Sequence, residues 1–302
     1  MSGDNKAEAT VCCASCCIAE IDDIKLKECD GCDLVRYCSD ECQQLHRSDH
    51  EEACKERAAQ LRDELLFKQP ECSCLGDCPI CSLPLSLDKT KSSLYNCCCK
   101  VICNGCDYAS WMREIEMRRG SMCAFCRKTV AKTEEEMQKQ RMKRVEANDP
   151  YALFQEGSEQ YMKGEYSSAF EYFTRAVTLG DATSHYRLAL MYQLGKGVEK
   201  DEGKYIHHFE EAAIGGHPGA RYNLGVQELH NANYERAAKH FIIAATQGHD
   251  LSIKALMTGF KNGRLVSKEE LSAALRAHKA AVDATKSPQR EAGEVFFRRM
   301  GW

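Results

Sequence analysis

The C-terminal half of the chain repeats one pattern of apolar and small positions every 32 to 36 residues. Two large apolar positions recur in each unit, and a small residue follows each of them by three positions. The large residues are Phe154, Tyr186 and Tyr222 at the first position and Phe173, Phe209 and Phe241 at the second. The units end in glycine, at Gly180, Gly216 and Gly248. Apolar residues at helical spacing and a terminal glycine predict paired antiparallel helices, which must stack because one pair cannot bury its own apolar face.

This pattern predicts an all-α helical-repeat solenoid over residues 149–284. The units that begin at Asp149 and His217 lack four residues that the middle unit carries in its inter-helix loop, and a weaker fourth unit begins at His249. The segment "SKEE" from Ser267 is typical of a capping box and predicts a final helix to about Ala284. We expect residues 285–302 to be a tail.

Two polar stretches, residues 55–76 and 128–148, are rich in helix formers and carry charges of both signs. This composition predicts exposed connecting helices, a linker helix in the first stretch and a charged helical linker in the second. We expect residues 1–11 to form a disordered tail.

All 20 cysteines lie between Cys12 and Cys126, and the 176 residues that follow contain none, which places a domain boundary there. No apolar run approaches the ~18 residues of a membrane span, and the N-terminus lacks the basic and apolar regions of a secretory signal. We therefore expect a soluble cytoplasmic or nuclear protein. In that reducing environment cysteine-dense segments bind metal more often than they form disulfides.

The first cysteine-rich segment contains four spaced pairs of metal-binding residues. The pairs are Cys13 and Cys16, Cys29 and Cys32, Cys38 and Cys42, and His50 and Cys54. Two tetrahedral zinc ions need eight ligands, and this series supplies seven thiolates and one imidazole. A disulfide framework would leave His50 without a role. We expect the flanking Cys12 and Cys17 to be spare thiols.

The stretch "LKECDGCDLVRYCSDECQQLHRSDHEEAC" within residues 12–54 resembles a MYND zinc finger in ligand types and spacing. The resemblance implies two interleaved zinc sites. It assigns Cys13, Cys16, Cys38 and Cys42 to one ion, and Cys29, Cys32, His50 and Cys54 to the other. Arg47 stands where the family usually has a tryptophan, which weakens the expectation of the family's groove for proline-rich peptides.

A second series of cysteine pairs occupies residues 77–127, and a triple cysteine lies between its first and second pairs. The series is Cys78 and Cys81, then Cys97, Cys98 and Cys99, then Cys103 and Cys106, and finally Cys123 and Cys126. This order resembles a RING domain, which implies that the first and third ligand pairs share one zinc and the second and fourth share another. Lys100 stands at the family's histidine position, and an ammonium has no lone pair to give a metal.

Two cysteines of the triple must therefore act as ligands, and the sequence leaves open which two. In an extended segment Cys97 and Cys99 point to the same face, whereas a turn reverses that preference. Some RING variants favour Cys97 with Cys98. Cys72 and Cys74 precede the series closely and are possible ligands, but we expect packed or solvent-facing thiols. The total predicts about four Zn²⁺ per chain.

The RING resemblance also implies a docking surface for a ubiquitin-conjugating enzyme. Its elements are the residue before the second ligand (Ile80), a large apolar residue after the sixth (Trp111) and a cation after the eighth (Arg127). The alternative is that Ile80 belongs to the local core, Trp111 caps its helix and Arg127 is simply solvated. Such a module supplies no catalytic nucleophile of its own.

The segment "DATSHYRLALMYQLGKGVEKDEGKYIHHFEEAAIGG" resembles a Sel1-like repeat, and the shorter units are closer to tetratricopeptide repeats. The sequence thus predicts a multidomain protein with two small α+β zinc-stabilised modules followed by a solenoid. It shows no phosphate-binding loop, Ser/His/Asp arrangement or dinucleotide fingerprint. The net charge of -4 disfavours nucleic-acid and membrane partners.

Two functional hypotheses follow. In the first, the chain is an adaptor that binds proteins or peptides through its repeats and MYND finger, while the RING-like module recruits a conjugating enzyme as a ubiquitin ligase. In the second, it is a non-enzymatic scaffold.

Overall fold

The computed structural model describes residues 12–20, 24–118 and 120–301. The chain divides into two compact units, Met1–Lys68 and Gln69–Trp302. The predicted order of cysteine-rich modules followed by a helical solenoid is confirmed. The tail expected over residues 1–11 lies outside the described residues. Among the described helices, none combines the length and apolar character that a membrane span requires.

The first unit is a two-stranded hairpin followed by two helices. The elements are β1 (Lys27–Glu28), β2 (Arg36–Tyr37), α1 (Asp40–Leu45) and α2 (Arg47–Leu66). Ser39 caps the N-terminus of α1, and its hydroxyl accepts a hydrogen bond from the backbone N–H of Cys42 at 3.3 Å. The core around Leu26 and Tyr37 is small. Modules of this size usually need a metal or disulfides to remain folded.

Helix α2 is continuous over 20 residues and includes most of the stretch expected to be a separate linker helix. It places His50 and Cys54 one turn apart on the same face. The finger and the following helix are therefore one element, which ends at Leu66.

The second cysteine-rich module opens the second unit with an antiparallel hairpin and a helix. The elements are β3 (Ser92–Tyr95), β4 (Lys100–Cys103) and α3 (Asn104–Glu116), after a short 3₁₀ turn at Lys89–Lys91. Tyr95 pairs with Lys100, so the triple cysteine forms the turn between the strands.

The remaining chain forms helices, and all but the last pack in sequence order, each against the next. They are α4 (Glu134–Glu146), α5 (Pro150–Met162), α6 (Tyr166–Thr178), α7 (Ala182–Leu194), α8 (Glu202–Ile214), α9 (Pro218–His230), α10 (Tyr234–Thr246), α11 (Asp250–Lys261), α12 (Lys268–Ala284) and α13 (Pro288–Arg299). Phe173 and Phe241 are fully buried. A Cβ on Gly157 would lie 2.8 Å from the Phe173 ring, which explains the small residue in the repeat pattern.

The charged helix expected over residues 128–148 forms as α4 and is exposed over its first half, but the expectation of an exposed linker is wrong for its second half, which packs in the array. Arg141 of α4 is 12% exposed and donates from Nε to Glu156 of α5 at 2.9 Å, and it also pairs with Glu159. Val145 is buried in the core that α4 and α5 share. The sequence did not indicate this packing, because α4 is highly charged. Its Arg141 pairs with carboxylates of α5 across the helix interface.

The prediction of a tail over residues 285–302 is also wrong, since Pro288–Arg299 form α13, which packs against α3. Its start is conventional: the Ser287 hydroxyl accepts from the N–H of Arg290, and proline occupies the first turn. A Cβ on Gly293 would lie 2.6 Å from the backbone oxygen of Asn104. The two helix backbones therefore approach closely at this point.

Candidate metal centres and binding surfaces

The structure gathers sixteen thiol and imidazole side chains into four groups of four. Within each group, all ligand atoms lie within 4.8 Å of one another. The groups are Cys13, Cys16, Cys38 and Cys42; Cys29, Cys32, His50 and Cys54; Cys78, Cys81, Cys103 and Cys106; and Cys97, Cys98, Cys123 and Cys126. These are the interleaved groupings that the two family resemblances imply.

The spacing within the groups fits tetrahedral zinc. Bonds of ~2.3 Å in tetrahedral geometry separate two sulfurs by ~3.8 Å, whereas a disulfide separates them by only ~2.05 Å. The sulfurs of Cys16 and Cys38 lie 3.5 Å apart, and those of Cys81 and Cys103 lie 3.8 Å apart. All the cysteines are free thiols. The four groups are consistent with about four Zn²⁺ ions per chain.

The triple cysteine forms a turn, and the turn directs two of its sulfurs toward the last cysteine pair. The backbone N–H groups of Cys98 and Cys99 both donate to the carbonyl of Tyr95. The Cys97 sulfur lies 3.4 Å from Cys126, and the Cys98 sulfur lies 3.8 Å from Cys123. The extended geometry that would pair Cys97 with Cys99 does not occur.

Cys99 takes a different role because its backbone is left-handed, with φ of 51°. Its side chain is buried and packs in the core with Val145, Leu153 and Ala176. The third cysteine of the triple therefore anchors the hairpin turn to α4, α5 and α6.

The remaining spare cysteines lie outside the four groups. The backbone N–H of Cys74 donates to the carbonyl of Gly216 at 3.0 Å, which joins the segment before the second module to the repeats. Burial raises the pKa of the Cys74 thiol to about 12, so this thiol is protonated and chemically quiet at neutral pH. Its role is packing.

Arg290 of α13 supports the metal group that contains Cys81, and sequence reasoning missed it. The side chain is buried and donates from Nη1 to the carbonyl of Pro84 at 2.6 Å. Its Nη2 donates to the carbonyl of Leu83 at 2.9 Å and to the sulfur of Cys81 at 3.4 Å. The capped start "SPQR" indicates a helix, but no local feature of the sequence indicates that Arg290 contacts Cys81, which lies 209 positions earlier.

The same contacts favour the metal-binding form of Cys81. Burial raises the pKa of its thiol, but hydrogen bonds from the Leu83 backbone N–H, the Arg290 guanidinium and the neighbouring Cys106 and Cys78 thiols together outweigh burial and lower the pKa to about 7. The thiolate is the form that binds zinc. Arg290 thus both positions this ligand and stabilises its charge.

The three residues expected to dock a conjugating enzyme differ in their surroundings. Ile80 is 44% exposed and Trp111 is 39% exposed, so neither is local core. The ring of Trp111 packs against Phe296 of α13 with centroids 4.6 Å apart. Arg127 donates to the buried carboxylate of Glu114 and is therefore not simply solvated. Trp111 and Arg127 therefore already make contacts within this chain, whereas Ile80 is an exposed apolar side chain.

A groove of about 450 Å³ opens in the repeat array between α9, α10 and α11. Tyr222, Leu229 and Tyr234 contribute to its apolar wall. Lys254 and Arg264 also line the groove, and both are exposed. Neither cation forms an ion pair within the part of the chain that the structure describes.

Comparison with known protein families agrees with this architecture. Residues 7–54 match the MYND finger model, and residues 152–181, 182–217 and 218–249 match the Sel1 repeat model. The second cysteine-rich module lies outside these matched ranges. An uncharacterized Sel1-like repeat-containing protein of Schizosaccharomyces pombe is 33% identical over 122 residues, which are 39% of this chain and 18% of that protein. The chain thus matches about a fifth of that relative's length.

Two solved structures are also similar. A Sel1 repeat protein from Oxalobacter formigenes is 28% identical with a TM-score of 0.45, over 51% of this chain and 66% of that chain. The protective antigen c5321 of uropathogenic Escherichia coli strains, which displays an SLR fold, is 21% identical with a TM-score of 0.40, over 56% of this chain and 37% of that chain. With the family matches, the described geometry identifies a MYND finger in the first unit and Sel1 repeats in the helical array of the second.

Proposed function

We propose that this chain is a zinc-dependent adaptor that binds a peptide segment of a partner protein in the groove of its Sel1 repeats. MYND fingers and Sel1 repeats are generally protein-interaction modules, and the chain combines one finger with an array of repeats. The zinc ions would be held by the four groups of thiol and imidazole ligands. Their task is to hold the fold, since they lie in closed four-ligand sites.

The groove between α9, α10 and α11 is the observation that carries this proposal. Its apolar wall would take large side chains of an extended or helical segment, as concave repeat surfaces commonly do. Lys254 and Arg264 at the same groove carry no acidic partner among the described residues. The expected ligand is therefore an apolar segment with acidic residues beside its anchors.

A peptide-display selection on the full-length zinc-loaded protein tests this. The selected peptides should combine leucine or aromatic anchors with aspartate or glutamate. The double variant Lys254→Glu/Arg264→Glu should weaken their binding at least about tenfold, because it reverses the local charge. Arg276→Glu/Lys279→Glu, at exposed positions of α12, is the control matched in charge. Equal loss in the control, or selected peptides without acidic residues, would contradict the proposal.

Recruitment of a ubiquitin-conjugating enzyme is a second candidate, favoured by exposed apolar residues on the second cysteine-rich module. Ile80, Trp111 and Phe125 are all more than a third exposed. The Trp111–Phe296 and Arg127–Glu114 contacts compete with docking, because an enzyme would have to displace or share them.

Autoubiquitination with a panel of conjugating enzymes separates the two candidates. A ligase should be active as wild type, should lose activity as Ile80→Ala or Arg127→Ala, and should retain it as Ile115→Ala, a control on the exposed side of α3. A wild type as inactive as Ile80→Ala across the panel would leave the non-enzymatic adaptor as the function.

A further inference from the structure

An apolar cavity of about 300 Å³ lies on the second cysteine-rich module, between β3, α3, α4 and α13. Six aromatic and thioether side chains contribute to its wall: Trp111, Phe296, Phe297, Met122, Met137 and Met300. The polar side chains of Ser93, Asn96, Ser121 and Gln140 also line it. The cavity shares no residue with the repeat groove. The docking of α13 on α3 creates it, since Phe296 and Phe297 belong to α13.

The charged side chains among the described residues that line this cavity are both carboxylates, Asp107 and Glu114. Asp107 accepts a hydrogen bond from the hydroxyl of Tyr95. The Glu114 side chain is 4% exposed, and its Oε1 accepts from Arg127. Its Oε2 is buried and has no hydrogen-bond donor among the described residues. Two carboxylates and one paired guanidinium leave a net negative site with one unsatisfied acceptor.

An apolar wall beside two carboxylates limits the kind of ligand that the cavity can bind. Aromatic faces and carboxylates both attract cations, whereas the apolar wall favours a cation that carries methyl groups. A lysine ammonium brings three N–H donors and a guanidinium brings five, whereas Glu114 offers one unpaired oxygen. A dimethylammonium brings one N–H, which matches the single free oxygen of Glu114.

We propose that this cavity binds a dimethylated lysine side chain of a partner protein. The ammonium N–H donates to Oε2 of Glu114, and the methyl groups pack against Trp111 and Phe296. Asp107, which accepts the hydrogen bond from Tyr95, contributes further negative charge at the cavity wall.

Intrinsic fluorescence tests the proposal on the full-length zinc-loaded protein. The chain has two tryptophans, so Trp302→Phe leaves Trp111 as the only reporter. The probes are N-acetyl-lysine methylamide with zero, one, two or three methyl groups on the amine, together with the norleucine and arginine analogues. Dimethyllysine should cause a saturable change and bind at least about tenfold more tightly than neutral norleucine.

Equal binding of norleucine would show an apolar pocket without cation recognition and would overturn the proposal. The absence of a saturable change with every probe at about 10 mM would overturn it as well. Tightest binding of the arginine or unmethylated probe would reject the methyl-lysine assignment.

Variants test whether the carboxylates of the cavity recognise the cation of the ligand. Glu114→Gln keeps the shape of the side chain and removes its charge, so it should weaken dimethyllysine binding at least about tenfold. Glu116→Gln, exposed on the same helix, should bind like wild type. Because Glu114 also pairs with Arg127, Asp107→Asn is the second variant, and zinc content and near-UV circular dichroism report folding. Wild-type affinity in both folded variants would overturn the proposal. None of these outcomes depends on peptide binding in the repeat groove.

Discussion

The guanidinium of Arg290 donates a hydrogen bond to the sulfur of Cys81, which lies 209 positions earlier in the chain. The same side chain satisfies the carbonyls of Leu83 and Pro84. A residue of the last helix thus stabilises a loop that supplies a metal ligand. The second cysteine-rich module and α13 are consequently coupled in stability.

Replacing Arg290 should test this coupling directly. Arg290→Ala leaves buried carbonyls without donors and should lower the free energy of unfolding by about 2–4 kcal/mol. Loss of the hydrogen bond to Cys81 should also weaken zinc retention about 10–100-fold. Urea denaturation and competition with a chromogenic chelator measure the two effects. Arg299→Ala, exposed on the same helix, is the control, and a matching response in both variants would argue against the coupling.

The crossing of α13 over α3 requires glycine at Gly293. Alanine should gain up to about 1 kcal/mol of helix propensity, but its Cβ would lie 2.6 Å from the Asn104 oxygen, so Gly293→Ala should destabilise the protein. In Gly203→Ala the Cβ meets only Asp201 at 3.5 Å, and that variant should be neutral or slightly more stable. Thermal unfolding compares the two. A stabilised Gly293→Ala would show that the helices do not approach as described.

Zinc counting distinguishes the members of the triple cysteine. Cys98→Ala should reduce bound zinc from about four to about three ions per chain, because the group with Cys123 and Cys126 loses a thiolate. Cys99→Ala should keep about four ions and lose only packing. Elemental analysis after gel filtration measures the ratio. The reverse outcome would establish Cys97 and Cys99 as the ligands.

The pH dependence of stability should report His217. Burial, with smaller contributions from neighbouring positive groups, lowers the pKa of this side chain to about 3, against ~6.5 in the unfolded chain. At pH values between these two pKa values, the unfolded chain binds a proton at His217 and the folded chain does not. His217 therefore makes the free energy of unfolding fall as pH decreases from ~6.5, by up to ~1.4 kcal/mol per pH unit.

His217→Asn should remove this contribution and retain an N-cap for α9, since the Nδ1 of His217 accepts from Ala220 at 3.1 Å. Urea denaturation between about pH 6.5 and 5 should then show a shallower decline than in wild type. Protonation of zinc ligands affects both proteins and cancels in the comparison. His230→Asn, exposed at the end of α9, should keep the wild-type slope. An unchanged slope in His217→Asn would contradict an imidazole that stays neutral in the folded chain.

The sequence alone determined the features that arise from local spacing. Ligand pairs separated by two or three residues can reach one ion from a turn or a helix, so the pairs were predictable from spacing. Their assembly into four groups was what the MYND and RING resemblances implied, up to the choice within the triple cysteine. The repeated aromatic and small positions identified the helix pairs, because each pair is defined by contacts within about 35 residues.

Only the tertiary structure decided which sulfurs of the triple cysteine face the metal group and what α4 and α13 pack against. Cys99 faces the repeat core because a left-handed residue ends the hairpin turn, a conformation that spacing does not reveal. The Arg290–Cys81 contact and the close approach of Gly293 to Asn104 join segments 209 and 189 residues apart, where no local periodicity carries information. The second cysteine-rich module is therefore part of one compact unit with the repeats, through packing that forms only when the chain folds.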